Sequence, residues 1–168
     1  MKKSVLPVVT AVALGTVAFG GTAAAAGAAP AACSAADLTG TLGHVEAGAG
    51  QRAALLTLTA RPGSTCAVSG FPQEPQFVDA VGRVLPTRGD REEEDRTPAV
   101  VLDDAHGAQL PLRWTGIPVA DGDDPDAPAP AALRFVLPGV CGVITVDWTG
   151  GHVFDGGHLI MRAIQPSS

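Results

Sequence analysis

The stretch Leu38-Thr39-Gly40-Thr41-Leu42-Gly43-His44-Val45-Glu46-Ala47-Gly48-Ala49-Gly50-Gln51-Arg52-Ala53-Ala54-Leu55-Leu56-Thr57-Leu58-Thr59-Ala60 decides the fold. Its two arms, Leu38–Val45 and Ala53–Ala60, are short runs in which apolar and small or polar residues alternate, the period of a half-buried strand. Between them Glu46–Gly50 is rich in glycine and reads as a turn, so the arms form an antiparallel hairpin. Facing residues in such a pair keep a constant sum of residue numbers. Setting Leu42 against Leu56 or Leu58 centres the hairpin on Ala49 or on Gly50. Cys33 and Cys66, beyond the open ends of the arms, centre between those two residues. Both relations hold only if one residue is inserted along the way, as a bulge.

The rest of the chain repeats the pattern. Short apolar or alternating runs recur at Gln76–Asp79, Arg83–Pro86, Ala99–Leu102, Gln109–Trp114, Leu133–Leu137, Val143–Trp148 and His158–Ile164. With 14 prolines and 21 glycines in the chain, no segment after the N-terminal region is long enough for an amphipathic helix. The expectation is all-β: a single immunoglobulin-like antiparallel β-sandwich of roughly seven to nine strands. Asp90–Arg96, a charge run, and Asp121–Pro130, which mixes aspartate and proline, read as exposed loops.

Met1–Ala26 has the three parts of an export signal: Lys2 and Lys3, an apolar run from Val5 to Phe19, and small residues at Thr22–Ala26. The apolar run is shorter than the ~20 residues that span a bilayer, and the residues before Cys33 do not fit a lipid-anchor signal. Residues 1–26 are therefore expected to be a signal peptide, 27–32 an Ala-rich lead-in, 33–165 the β-sandwich domain and 166–168 a tail. The expected location is secreted, with no stable membrane anchor. The chain has 11 Lys+Arg against 17 Asp+Glu. Both lysines leave with the signal, so nine arginines face the 17 acids. That charge repels nucleic acid and anionic lipid.

In an oxidising compartment Cys33, Cys66 and Cys141 are disulfide candidates. The hairpin centre favours Cys33–Cys66, which leaves Cys141 over. The competing pair, Cys66–Cys141, lacks the tryptophan that the inter-sheet bond of immunoglobulin domains wants soon after its first cysteine. A monomer is expected, with a disulfide-linked dimer through Cys141 as the alternative.

Cys33-Ser-Ala-Ala-Asp-Leu38, Leu55-Leu-Thr-Leu-Thr59, Ser64-Thr-Cys66-Ala-Val-Ser-Gly-Phe-Pro72 and Val78-Asp-Ala-Val-Gly82 together resemble the secreted and cell-surface proteins grouped as domain of unknown function 4232. The most specific element is a cysteine followed after three residues by Gly-aromatic-Pro. The resemblance implies an immunoglobulin-like sandwich outside the cytoplasm and brings no catalytic residues. Members usually carry a second cysteine pair in the C-terminal half, where this chain has Cys141 alone.

Chemistry is sparse. His152 and His158 flank Asp155-Gly156-Gly157, a hairpin turn signal. As a three-residue loop it would set His158 opposite Phe154 and His152 opposite Ile160, with both imidazoles on one face for a transition metal. Asp121, Asp123 and Asp126 offer oxygen ligands for Ca²⁺, although Asp126 and Ala132 stand where a calcium loop has Gly and Glu. Trp114 and Trp148 would form a stacking surface if exposed and core if not. No Gly-x-Ser-x-Gly, His-Glu-x-x-His or phosphate loop occurs. The reading is a non-catalytic binding or structural module without cofactor, its partner an envelope protein or glycan. A divalent-cation module and a secreted hydrolase are the alternatives.

Overall fold

The computed structural model describes residues 30–92 and 98–167. The expected signal (1–26), the lead-in up to residue 29, residues 93–97, which include the end of the charge run, and residue 168 lie outside the described residues.

The Leu38–Ala60 hairpin forms, with β1 (Leu38–Leu42) and β2 (Glu46–Gly48) both antiparallel to β3 (Gln51–Ala60). Its turn is tighter than the five-residue loop expected. Gly48 pairs with Gln51, leaving Ala49 and Gly50 with φ of 49° and 79°, the left-handed pair that a two-residue hairpin turn needs. Leu42 faces Leu56, whereas Glu46 faces Ala53, and the Gly43 N–H donates to the Leu55 carbonyl at 2.8 Å. His44 and Val45 therefore stand against Ala54 alone, a one-residue insertion on the turn side of Leu42. The expected one lay between Leu42 and the cysteines, where the register runs unbroken from Leu42–Leu56 to Leu38–Ala60.

The remaining strands are β4 (Cys66–Val68), β5 (Gln73–Val78), β6 (Arg88–Arg91), β7 (Val100–Leu102), β8 (Ala108–Thr115), β9 (Ala132–Val136), β10 (Ile144–Asp147), β11 (His158–Met161) and β12 (Gln165–Pro166). One sheet runs β1-β3-β8-β11-β6, with β2 on β3 and β12 on β8; a second runs β10-β9-β5, and β4 pairs with β7. Alternation along β3 and β8 buries Leu56, Leu58, Leu110, Leu112 and Trp114. They share one core with Phe77, Leu133, Phe135, Ile144 and Val146 of the smaller sheet. Each such side chain stabilises the fold by about 1.5–3 kcal/mol. The chain is an all-β sandwich.

The strand count exceeds the expected seven to nine because several elements are only two to four residues long. Arg83–Pro86 is not a strand and contributes a single bridge, Val84 to Val78. The neighbouring strand is β6 instead, which takes the start of the charge run expected as loop. Every residue of β6 is exposed, so no apolar alternation marks it. It is an edge strand, and it pairs parallel to β11, a departure from an all-antiparallel sheet.

Cys33 and Cys66 are disulfide-bonded, 33 residues apart, and Cys141 is free and exposed. The bridge does not extend the hairpin in line. A 3-10 turn, Ala35–Asp37, capped by Ser34, separates Cys33 from the first arm. Before it the chain runs parallel to β4, with the Cys33 N–H on the Ala67 carbonyl at 3.1 Å and the Ala67 N–H on the Ala31 carbonyl at 2.8 Å. Cys141 is the backbone neighbour on the other side, its N–H reaching the Cys33 carbonyl at 3.3 Å.

The tryptophans are core, which corrects the surface-contact expectation. Trp114 is 1% and Trp148 6% exposed. Their rings meet edge-on at 4.7 Å, and Phe77 meets Trp148 at 4.8 Å. Both point inward because they continue the buried alternation of their strands. The Trp114 indole N–H finds no acceptor among the described residues; it lies in the aromatic cluster.

Gly40 lets the two sheets approach at one edge. A Cβ there would lie 2.3 Å from Val146 Cγ2 and 3.3 Å from Leu58 Cδ2. In an open strand Gly→Ala stabilises by about 0.5–1 kcal/mol. Here Gly40→Ala is expected to destabilise by about 1–3 kcal/mol through overpacking against a stiff β-branched side chain. Urea unfolding decides the sign, and a more stable variant contradicts the close approach.

Candidate functional site

Two stretches singled out by composition, Asp121–Pro130 and His152–His158, meet in space. They close a cleft of about 180 Å³ lined by Phe77, Leu85, Pro86, Asp123, Asp124, Ala127, Pro128, Pro130, His152, Val153 and Phe154.

Each wall is held by local chemistry. On the first side, β5 turns back at Asp79, whose Oδ1 accepts from the N–H groups of Val81 (3.0 Å) and Arg83 (2.8 Å) and whose Oδ2 accepts from Arg83 Nε at 2.7 Å. The Leu85 N–H then reaches the Phe77 carbonyl at 2.8 Å, and the Phe77 N–H reaches Thr87 Oγ1 at 2.9 Å. This places Leu85 and Pro86 over Phe77.

On the second side, Asp123 organises its loop. Its Oδ2 accepts from the N–H groups of Val119 (2.8 Å) and Ala120 (2.9 Å), and its Oδ1 from the Asp155 N–H at 2.9 Å. Asp124 Oδ1 accepts from the Asp126 N–H at 2.9 Å. Asp121 and Asp126 are exposed.

The third wall follows Trp148, whose Nε1 donates to the Gly151 carbonyl at 2.8 Å. His152 Nε2 then donates to the Ala127 carbonyl at 2.8 Å, and its ring stacks on Phe154 at 5.6 Å. Asp155, Gly156 and Gly157 have φ of 58°, 64° and 76°. They form a left-handed turn closed by the His158 N–H on the Phe154 carbonyl at 3.2 Å.

The turn at Asp155–Gly157 was legible, but the hairpin read from it does not form. Ile160 faces Arg113 of β8 and Asp90 of β6, not His152. Phe154 instead donates its N–H to Thr115, at 3.0 Å. The two imidazoles consequently part. His158 sits between Asp90 Oδ2 (2.7 Å from Nε2) and Asp155 Oδ2 (3.2 Å from Nδ1), with Arg88 Nη2 also on Asp155 Oδ2 at 3.2 Å. Both of its ring nitrogens face carboxylates. Among the described residues no group of three or more His, Cys, Asp or Glu could hold a metal ion. Of the calcium candidates, Asp123 already spends both oxygens on backbone N–H groups.

A second imidazole, His106, has Nδ1 on Asp103 at 2.9 and 3.1 Å. A carboxylate-oriented imidazole is half of a nucleophile-activating pair. His106 meets no hydroxyl within hydrogen-bond distance among the described residues. The same Asp103 Oδ1 accepts from the N–H groups of Ala105 and His106, both at 2.8 Å, so the aspartate serves as the turn's clamp.

Four carboxyls are held below their ordinary values. Burial works to raise Asp79, but the N–H and guanidinium of Arg83 and the N–H of Val81 outweigh it. The Arg162 side chain lowers Glu92, the Ala105 N–H and His106 lower Asp103, and the N–H groups of Val119 and Ala120 lower Asp123. In the unfolded chain an aspartate titrates near its ordinary 3.8. A carboxyl depressed in the fold therefore stabilises fully above that value and loses its contribution as the pH falls towards the depressed one. The melting temperature is expected to fall on acidification from about pH 5 to about pH 2. Asp123→Asn should melt lower at neutral pH and lose less on acidification; a curve parallel to wild type contradicts the clamp.

Phe77, Leu85, Pro86 and Phe154 escaped sequence reasoning as site residues, since apolar residues in separate runs carry no sign that they share a wall. Neither a curated protein nor a solved structure matches the chain. The family described as Domain of unknown function (DUF4232) matches residues 33–165, which take in both facing sheets, the Cys33–Cys66 bridge and all three walls of the cleft, and the chain belongs to that family.

Proposed function

We propose that the protein is exported and acts as a non-catalytic binding module at or outside the cell envelope, engaging an envelope protein or glycan through the cleft beside Asp124, His152 and Phe154. The observation that carries this reading is a cleft with apolar walls whose loops are tied down by Asp79, Asp123 and Trp148. Rigid loops on a sandwich are a common way to present a binding surface. Export is supported by the signal-like Met1–Ala26 and by the Cys33–Cys66 bridge, a bond that persists in oxidising compartments.

The test uses Gly122, which lines the cleft and has nothing within 4 Å of an added Cβ. Gly122→Trp should plug the cleft and leave the fold intact. Wild-type protein is expected to retain an envelope component that Gly122→Trp does not. Retention of the same set by both counts against the cleft. Recovery of the chain only from cytosol, with residues 1–26 attached, counts against export.

A further inference from the structure

We infer that the cleft is an anchor pocket for one arginine side chain, presented by an extended segment of a partner polypeptide. This rests on the module reading above and names its ligand class.

Size comes first. At about 180 Å³ the cleft falls below the ~300–1,000 Å³ of pockets that enclose a whole small molecule. It fits a single side chain, in the manner of the anchors that dominate protein interfaces.

Polarity comes second. Pro86, Pro128 and Pro130 line the cleft and have no N–H to donate. The Ala127 carbonyl takes the hydrogen of His152 Nε2, which leaves Nδ1 as the ring's acceptor. Asp124 has only Oδ1 engaged, by the Asp126 N–H. The side-chain groups left uncommitted are acceptors, so the occupant brings donors.

Charge comes third. Asp121, Asp124 and Asp126 stand on one loop, and among the described residues no arginine or histidine forms an ion pair with any of them. Arg88, which reaches the turn that flanks the cleft, is taken by Asp155. A cation from outside meets an unopposed negative rim.

An arginine satisfies all three conditions. Its methylene stem lies against Leu85, Pro86 and Phe154, its planar head stacks on the His152–Phe154 ring pair, and its N–H groups reach Asp124. Glycan hydroxyls supply donors but no charge for the rim, which is why a polypeptide is favoured.

The experiment titrates the purified protein with blocked leucyl-arginyl-leucine and with its citrulline counterpart, following backbone amide signals. The arginine peptide is expected to move Gly122, Asp124, Val153 and Gly156. The citrulline peptide should bind at least tenfold more weakly, and added salt should weaken the arginine peptide alone. Asp124→Asn keeps the acceptor for the Asp126 N–H and is expected to lose tenfold for arginine with no change for citrulline. Equal binding of the two peptides, movement confined to the outer face of the large sheet, or displacement by wall glycan but not by arginine peptide overturns the proposal. Envelope capture that Gly122→Trp abolishes but the arginine peptide does not compete overturns the arginine and leaves the module reading standing.

Discussion

Alanine at both Cys33 and Cys66 is expected to lower the unfolding free energy by about 3–4 kcal/mol, from the loop entropy that a bridge across 33 residues removes from the unfolded chain. A domain of this size has roughly 5–15 kcal/mol in all, so the loss is a large share. The two cysteines are 1% and 6% exposed and belong to the core, so alanine also leaves small voids there. Urea unfolding checks the figure, with reductant-treated wild type expected to match the double variant. Cys141→Ser, at an exposed free thiol, should leave the midpoint in place. A loss below about 1 kcal/mol on removing the bridge would mean that the unfolded chain already holds its ends together.

The second large effect is at Gly157. Its φ of 76° is left-handed, and an added Cβ would stand 1.9 Å from the Pro86 carbonyl oxygen and 3.1 Å from Thr87 Cα. Both obstacles are backbone, so no side-chain rotation relieves them. Gly157→Ala is expected to destabilise by about 2–5 kcal/mol, joining the left-handed penalty of roughly 1–2 kcal/mol to an overpacking term of about 1–3 kcal/mol. The strain should fall on the Arg88 N–H bond to the Gly157 carbonyl, 3.1 Å long, and so on the pairing of β6 with β11. Gly156→Ala separates the two causes. Gly156 is also left-handed, at 64°, but nothing lies within 4 Å of its added Cβ. It should show the conformational penalty alone, about 1–2 kcal/mol. Equal losses at the two positions would remove the collision from the explanation. Fast amide exchange along β6 in Gly157→Ala alone would locate it.

Short-range pattern and composition carried much of the fold. The Leu38–Ala60 alternation placed two strands, and of its two candidate registers the one that sets Leu42 on Leu56 is found. The same arithmetic paired Cys33 with Cys66, although the chain reaches that bridge through a 3-10 turn and not in line with the hairpin. These succeed because period-two burial and hairpin register are local: each strand's facing partner is set within a few residues of its own turn. β6 escaped for the opposite reason. An edge strand with no buried face leaves no trace in hydropathy, and its pairing with β11 joins segments some 70 positions apart, as Arg88 facing His158 shows.

Local order thus wrote the all-β character, the first hairpin, the sulfur bridge and the Asp121–Pro130 loop into the chain itself. Packing alone settled which faces the loops turn to one another: it drew His152 to Ala127, drew His158 away to Asp90, and set Leu85, Pro86 and Phe154 around one cleft. The physical reason is that a loop's direction depends on long-range hydrogen bonds such as Asp123 to Asp155. Their partners become neighbours only once the two sheets have closed over a common core.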